Sequence, residues 1–367
     1  MLSDLTDDQR LLQDTISTLL SDADASDADA WDALMSVGVT TLPFDAEDGG
    51  FGGGVAELAI VARALGRIRQ STPFLASVVV ASDLLKRLLT GDQRGKHLAS
   101  VVEGRAIATL AHMEGGFSGG DEQVWTRASV DGDHYILDGV KTLVSAGTKA
   151  DIFLVTAKVA GETEPTLFLV ERSAPGLRID PYLRSDGTID AQLSLVGVTV
   201  PADDMLHDAG GRALARARSL GLALACAEAY GAMEKIQEET LDYLKTRRQF
   251  GSPIGSNQAL QHRAVDMFVE VQQARSMADY ALACVDGASS EAQLGPIAAK
   301  TFLNKAARLV GETAVQLNGA IGMTIESKVG RLFQRLTTFQ AMPPDGNLGL
   351  ATLLAAETSV LEGFRHE

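Results

Sequence analysis

The sequence predicts an α+β fold: an N-terminal α-helical domain over residues 1–105, a middle β-domain over 106–205 and a C-terminal four-helix bundle over 206–367. Three observations predict it. Apolar residues recur at helical spacing at both ends of the chain. Between them lie short runs rich in Val, Ile, Thr and Tyr, broken by Asp-Gly and Gly turns. The two kinds of segment are blocked and do not alternate, so a doubly wound βαβ fold is disfavoured.

The elements follow in order. Thr6-Asp7-Asp8-Gln9 has the form of a capping box, in which a hydroxyl and an amide side chain satisfy the first backbone amides of a helix. Leu11, Leu12, Ile16, Leu19 and Leu20 would form that helix's apolar stripe. The glycine-rich stretch Pro43–Gly54 interrupts helical spacing, which resumes over Val55–Arg67 and Leu75–Leu89. In the middle region, Val124–Val130 runs through Asp131-Gly132 into His134–Leu137, a hairpin signal. Ile152–Lys158, Thr166–Glu171 and Gln192–Val200 read as further strands. Four helices follow, over Ala213–Thr246, Leu260–Cys284, Ala292–Asn318 and Leu348–Leu361. In the second of these, Leu260, Ala264, Phe268, Val271, Ala274, Met277, Ala281 and Cys284 step by three or four, and a bundle is the natural way to bury such a stripe.

Composition excludes several functions. A formal charge of −16, from 48 acidic and 32 basic residues, argues against a nucleic-acid partner, because phosphate backbones are held by Lys and Arg clusters. A small phosphorylated ligand stays open, since one or two placed arginines suffice. No apolar run reaches the roughly 18–20 residues of a membrane span, and Met1–Asp8 lacks a basic region followed by an apolar stretch. The expectation is a cytoplasmic protein away from membranes. Cys226 and Cys284 fall in apolar helical patterns, as reduced core thiols would. The six histidines are scattered without ligand spacing, so no metal site is expected.

Chemistry enters with specific motifs. The stretch Tyr243-Leu244-Lys245-Thr246-Arg247-Arg248-Gln249-Phe250-Gly251, continuing through Ile254, Asn257, Gln258, Gln261 and His262, resembles the signature of the acyl-CoA dehydrogenase family, where a helix ends at an Arg-x-Gln-Phe-Gly turn and a Gln-rich helix begins. Gln316-Leu317-Asn318-Gly319-Ala320-Ile321-Gly322 is similar to the family's Gln-x-x-Gly-Gly-x-Gly turn. Leu137-Asp138-Gly139-Val140-Lys141 with Ala150-Asp151 is similar to its middle domain, and Ala64-Leu65-Gly66-Arg67 also fits. The resemblance spans nearly the whole chain and is most specific in the C-terminal third.

It implies FAD as cofactor, an acyl-CoA substrate and an electron-transfer flavoprotein as acceptor. In the family the arginine matching Arg247 reaches the flavin nucleotide of a neighbouring subunit, and a guanidinium suits phosphate oxygens. Gln249, Asn257, Gln258 and Gln316 would add neutral hydrogen bonds, Phe250 an apolar surface, and Gly319, Ala320 and Gly322 a close backbone approach. Taken alone, Arg247-Arg248 could equally be a solvated helix end complementing the macrodipole, and Phe250 could be core. The family's Thr-Glu turn and Trp-Ile-Thr strand beside the flavin ring read here as Met113-Glu114 and Leu143-Val144-Ser145. Glu114 and Ser145 keep hydrogen-bonding capacity, while the tryptophan is missing.

The base is missing too. The family removes an α-proton of the thioester with a glutamate, from one of two places. Here those places hold Gly221 and the stretch Met342-Pro343-Pro344-Asp345-Gly346. Asp345 is short and one position off, and would otherwise be a capping residue. Glu228 lies about two helical turns beyond Gly221 and would otherwise be structural. The catalytic residue stays unassigned. The narrower likeness, carried by Ala227–Met233 and Gly322–Gly330, is to the small subunit of two-subunit dehydrogenases of the pimeloyl-CoA or steroid side-chain type, in which a homologous subunit can supply the base. A homo-oligomer, a non-catalytic FAD-completing subunit, and a flavin oxidase or monooxygenase on the same fold remain open.

Overall fold

The structure, a computed structural model, describes residues 5–22, 26–68, 70–115, 124–162, 164–287, 291–324 and 327–363. Part of the Gly322–Gly330 likeness, Ile325 and Glu326, therefore lies outside the described residues. In chain order the helices are α1 (Asp7–Asp22), α2 (Asp27–Ser36), α3 (Val55–Gly66), α4 (Ser82–Leu88), α5 (Gly91–Gln93), α6 (Ala99–Val102), α7 (Arg212–Thr246), α8 (Gln258–Asp286), α9 (Leu294–Asn318), α10 (Lys328–Ala341) and α11 (Gly346–Gly363). The strands are β1 (Ala108–Ala111), β2 (Arg127–Asp131), β3 (His134–Val144), β4 (Ile152–Val159), β5 (Thr166–Glu171), β6 (Leu177–Leu183), β7 (Ile189–Pro201), β8 (Met205–Leu206), β9 (Arg248–Gln249) and β10 (Ser252–Pro253). Packing divides the chain into two compact units. One holds Met1–Asp24, Val55–Gln70 and Leu222–Glu367; the other holds Ala25–Gly54 and Ser71–Gly221.

In the first, helical unit, α1 opens on the expected box: the Gln9 amide donates to Thr6 Oγ1 at 3.2 Å, and the Thr6 amide donates to Gln9 Oε1 at 3.0 Å. Its buried stripe is narrower than expected, because Ile16 and Leu20 are buried while Leu11 is 68% exposed. Helices α3 and α7 pass very close. A Cβ placed on Gly66 would sit 1.9 Å from the Glu228 carbonyl oxygen, and one on Gly231 would sit 2.1 Å from that of Arg63. Arg63 then reaches Glu234 with two donors, at 2.7 and 3.2 Å. Arg67 bridges Glu234 and Glu238.

The α8 stripe needs a correction. Phe268 is 48% exposed, and the residue pointing into the bundle is Met267 at 0%, followed by Val271, Ala274, Ala278 and Ala281. Ala264, Val271, Ala274, Ala281 and Cys284 are buried as read, and only the Phe268 and Met277 places pass to their neighbours Met267 and Ala278. Met267→Ala should therefore cost about 2–5 kcal/mol by leaving a cavity, and Phe268→Ala less than about 1 kcal/mol. Urea melts of the two variants check the order; a larger loss in Phe268→Ala would return Phe268 to the buried stripe. One helix the sequence did not announce, α10, joins the bundle.

The second unit carries the sheet, in the order β6-β7-β3-β2-β4-β5-β8, with β1 added in parallel to β4. The Asp131-Gly132 hairpin forms as expected, Asp131 pairing with His134. Strands β4 and β5 are buried on both faces, which is why they read as unbroken apolar runs. One face, with Ile152, Leu154, Leu167 and Leu169, packs on Phe44, Leu84, Leu85 and Leu98. The other, with Phe153, Val155, Phe168 and Val170, packs on Leu137, Val144, Leu193 and Val198.

Candidate functional site

At the end of α7 the chain makes a two-residue hairpin. Arg248 and Gln249 pair with Pro253 and Ser252, and the two tip residues, Phe250 and Gly251, have φ of 51° and 87°. Positive φ at both positions is what a type I′ hairpin requires. Glycine takes it freely, whereas Phe250 does so at a cost. Phe250 is fully exposed, so it is not core in this chain. Arg247, Gln249, Asn257 and Gln258 are exposed as well. The Asn257 side chain is already engaged, since its Oδ1 accepts from the Ala259 amide at 3.0 Å and caps α8.

The second motif lies at the same end of the bundle. Leu244 of α7, Ala264 of α8 and Leu317 of α9 pack into one cluster. Buried Asn318 ties α9 to α7 by donating to Thr240 Oγ1 at 3.2 Å. On either side of it, Gln316, Gly319 and Ala320 are exposed. Gly319 has φ 64° and ψ −148°, a conformation reserved for glycine, with open space where a Cβ would be.

Glu114 and Ser145 belong to the other unit. The Glu114 carboxylate is spent inside the β-domain. It accepts from Lys141 Nζ, from the Trp125 amide at 2.7 Å and from the Thr126 amide at 3.0 Å, and its side chain is 4% exposed against 0% for Lys141. The carboxylate of the segment 113–115 is thus engaged by partners inside the β-domain. That segment is set against β3 by the Thr142 amide donating to Met113 O at 2.8 Å and Thr142 Oγ1 donating to Gly115 O at 3.0 Å. Nearby His112 is buried beside Thr156, and burial together with the Arg218 and Lys141 cations pushes its pKa down to about 3. It stays neutral and cannot serve as an acid at physiological pH. Ser145 is exposed and flanked by two left-handed residues, Leu143 (φ 53°) and Ala146 (φ 57°).

The candidate bases are all committed elsewhere. A Cβ on Gly221 would lie 2.6 Å from Val80 Cγ2, so Val80 fills the place of a side chain there. Asp345 Oδ1 accepts from the Asn347 and Leu348 amides at 2.9 and 2.8 Å and caps α11. Glu228 is held by Arg335, which also donates to the Gln70 carbonyl at 2.9 Å. Two further features escaped the sequence reading. Lys141 was legible only as part of a motif, with no sign of its partner Glu114. Lys300 is fully buried on α9, donating to Asn304 Oδ1 at 2.6 Å and lying over the Phe339 ring, and burial pushes it down to about 8. Among the described residues no group of His, Cys, Asp or Glu could hold a metal ion, and no helix is long and apolar enough to cross a membrane.

Comparison with known proteins gives the same direction throughout. The N-terminal, middle and C-terminal domains of acyl-CoA dehydrogenase match residues 6–105, 114–197 and 211–346. The acyl-CoA dehydrogenase FadE27 of Mycobacterium tuberculosis is 30% identical over 315 residues, covering 84% of this chain and 82% of that protein. Among solved structures, the ChsE4-ChsE5 complex from Mycobacterium tuberculosis aligns with TM-score 0.87 at 24% identity, covering 97% of this chain and 98% of the other. Butyryl-CoA dehydrogenase from Megasphaera elsdenii aligns with TM-score 0.88 at 23% identity, covering 97% and 99%. At such identities these two likenesses speak for the fold. With its three parts matched in order and a relative at 30% identity along most of its length, this chain belongs to the acyl-CoA dehydrogenase family.

Proposed function

We propose that the chain is an FAD-binding subunit of an acyl-CoA dehydrogenase that places an α,β double bond in a CoA thioester, working with a homologous subunit that carries the base. The observation that supports it most is the exposed hairpin at the bundle end. Arg247 has no ion pair among the described residues, Phe250 presents a bare ring, and Gly319 leaves its backbone open on the same end of the bundle. That is a donor set suited to the pyrophosphate and ring of a flavin nucleotide bound mainly by another subunit. FAD supplies the acceptor for the β-hydride. In the helical unit Arg247 would hold the phosphates and Gln249, Gln258 and Gln316 would present neutral donors; in the other unit, taken by itself, the Met113–Gly115 backbone and Ser145 are the groups offered to a flavin ring.

The spent carboxylates favour a close second reading, in which the chain is non-catalytic and completes its partner's FAD site. In either reading, an electron-transfer flavoprotein takes up the electrons and the setting is the cytoplasm. The division at 1–105, 106–205 and 206–367 is kept as part of the proposal, supported by matched stretches that each lie inside one part. Retention of flavin tests the reading directly. Arg247→Ala should weaken FAD retention about ten- to a hundredfold, the scale of a charge-assisted hydrogen bond. Arg248→Ala should change it little, because that guanidinium points back to the Gly251 carbonyl. Equal flavin absorbance in both variants after dilution and gel filtration would remove Arg247 from the site.

A further inference from the structure

A groove of about 570 Å³ runs between α1, α3, α7 and α10, and every residue that lines it lies in the helical unit. That volume is ample for a metabolite, since small-molecule sites run to roughly 300–1,000 Å³. Its floor is apolar, formed by Leu20, Ile60 and Leu332. Its walls hold five basic and three acidic side chains, the reverse of a chain whose formal charge is −16.

The balance at one end is more pronounced. Arg63 and Arg67 are engaged by Glu234 and Glu238, and Lys235 by Glu238 and Glu239. Asp14, on the exposed side of α1, is the remaining acid. Two cations are left, both in the first turn of α10. Lys328 is 57% exposed and only approaches Glu239, at 4.0 Å. Arg331 makes no ion pair among the described residues, and its Nε is buried without a hydrogen-bond partner. A buried guanidinium donor left unsatisfied is costly and uncommon. The N-terminal amides of a 14-residue helix add their own positive end at the same place.

We propose that this groove binds a small phosphorylated molecule, with Arg331 and Lys328 holding a phosphate group and the Leu20–Ile60–Leu332 floor taking an uncharged body. The planar guanidinium, a flexible ammonium and a helix N-terminus on one wall match a dianion better than a single carboxylate. The site is separate from the Arg247 hairpin, which the groove's lining does not include.

Isothermal titration of the purified full chain tests this, with inorganic phosphate and adenosine 3′,5′-bisphosphate as probes. Saturable one-to-one binding is expected, weakened about tenfold or more by Arg331→Ala and severalfold by Lys328→Gln. The second variant removes only an exposed charge, so folding is not at issue. Arg247→Ala should leave the affinity unchanged. Tighter binding of the bisphosphate would identify a nucleotide-like ligand that uses the floor, and equal affinities would identify recognition of the phosphate alone. Absence of saturable binding of both probes at millimolar concentration overturns the proposal. So does binding that survives both α10 variants or is lost in Arg247→Ala.

Discussion

Expressed by itself, the chain should oxidise acyl-CoA thioesters at least about a hundredfold more slowly than when it is co-expressed with its nearest homologous subunit. An α-proton of a thioester leaves only to a base held within reach, and such catalysis contributes roughly 10²–10⁴-fold. None of the three places considered for that base is available. Val80 occupies the space over Gly221, Asp345 is used as a helix cap, and Glu228 sits in an ion pair with Arg335. Two donors of the Arg335 guanidinium hold that carboxylate in place, so it is not free to reach an α-carbon. Dye reduction with several CoA thioesters, for the lone chain and the co-expressed pair, measures the effect. Robust turnover by the lone chain, abolished in Glu228→Gln without loss of folding, would make Glu228 the base and remove the need for a partner.

The largest stability effect should come from Lys141→Ala, about 3–5 kcal/mol, the usual result of removing one partner from a buried ion pair. Lys141 is fully buried and Glu114 nearly so, and Lys141 Nζ also donates to Thr156 Oγ1 at 2.9 Å. Without the ammonium, the Glu114 carboxylate keeps only the Trp125 and Thr126 amides. The double variant Lys141→Met with Glu114→Gln should recover much of the loss, since it removes both charges together. Urea denaturation of the three variants measures this. A wild-type midpoint in Lys141→Ala would show that the backbone amides alone hold the turn before β2.

Much of this architecture was readable because its signals are local. The Thr6–Gln9 box and the Asp131-Gly132 hairpin each involve residues at most three apart, and both formed as read. What escaped the reading was non-local or weakly patterned. Strand β6 alternates half-buried and exposed residues and contains Pro181, so it lacks an apolar run; its place is set by pairing with β7. In α8, Met267 and Phe268 are adjacent and both apolar, and spacing cannot choose between them. Neighbouring helices make that choice. The site divides in the same way. The Arg247–Gln258 turn is contiguous and carried its own motif. The partners of Glu114 and Glu228 lie 27 and 107 residues away, and no spacing rule reaches them.

The glycines at the crossing of α3 and α7 bear on how this protein could be engineered. Replacing a helical glycine by alanine is a routine route to higher stability, because it restricts the unfolded chain. At Gly66 and Gly231 that route is closed, since the added methyl would meet a carbonyl oxygen at 1.9 or 2.1 Å. A thermostabilisation campaign should leave both positions untouched and work on solvent-facing helix surfaces. In a mutational library, variants at either glycine should be depleted even for the smallest side chain, whereas the neighbouring arginines should show graded tolerance.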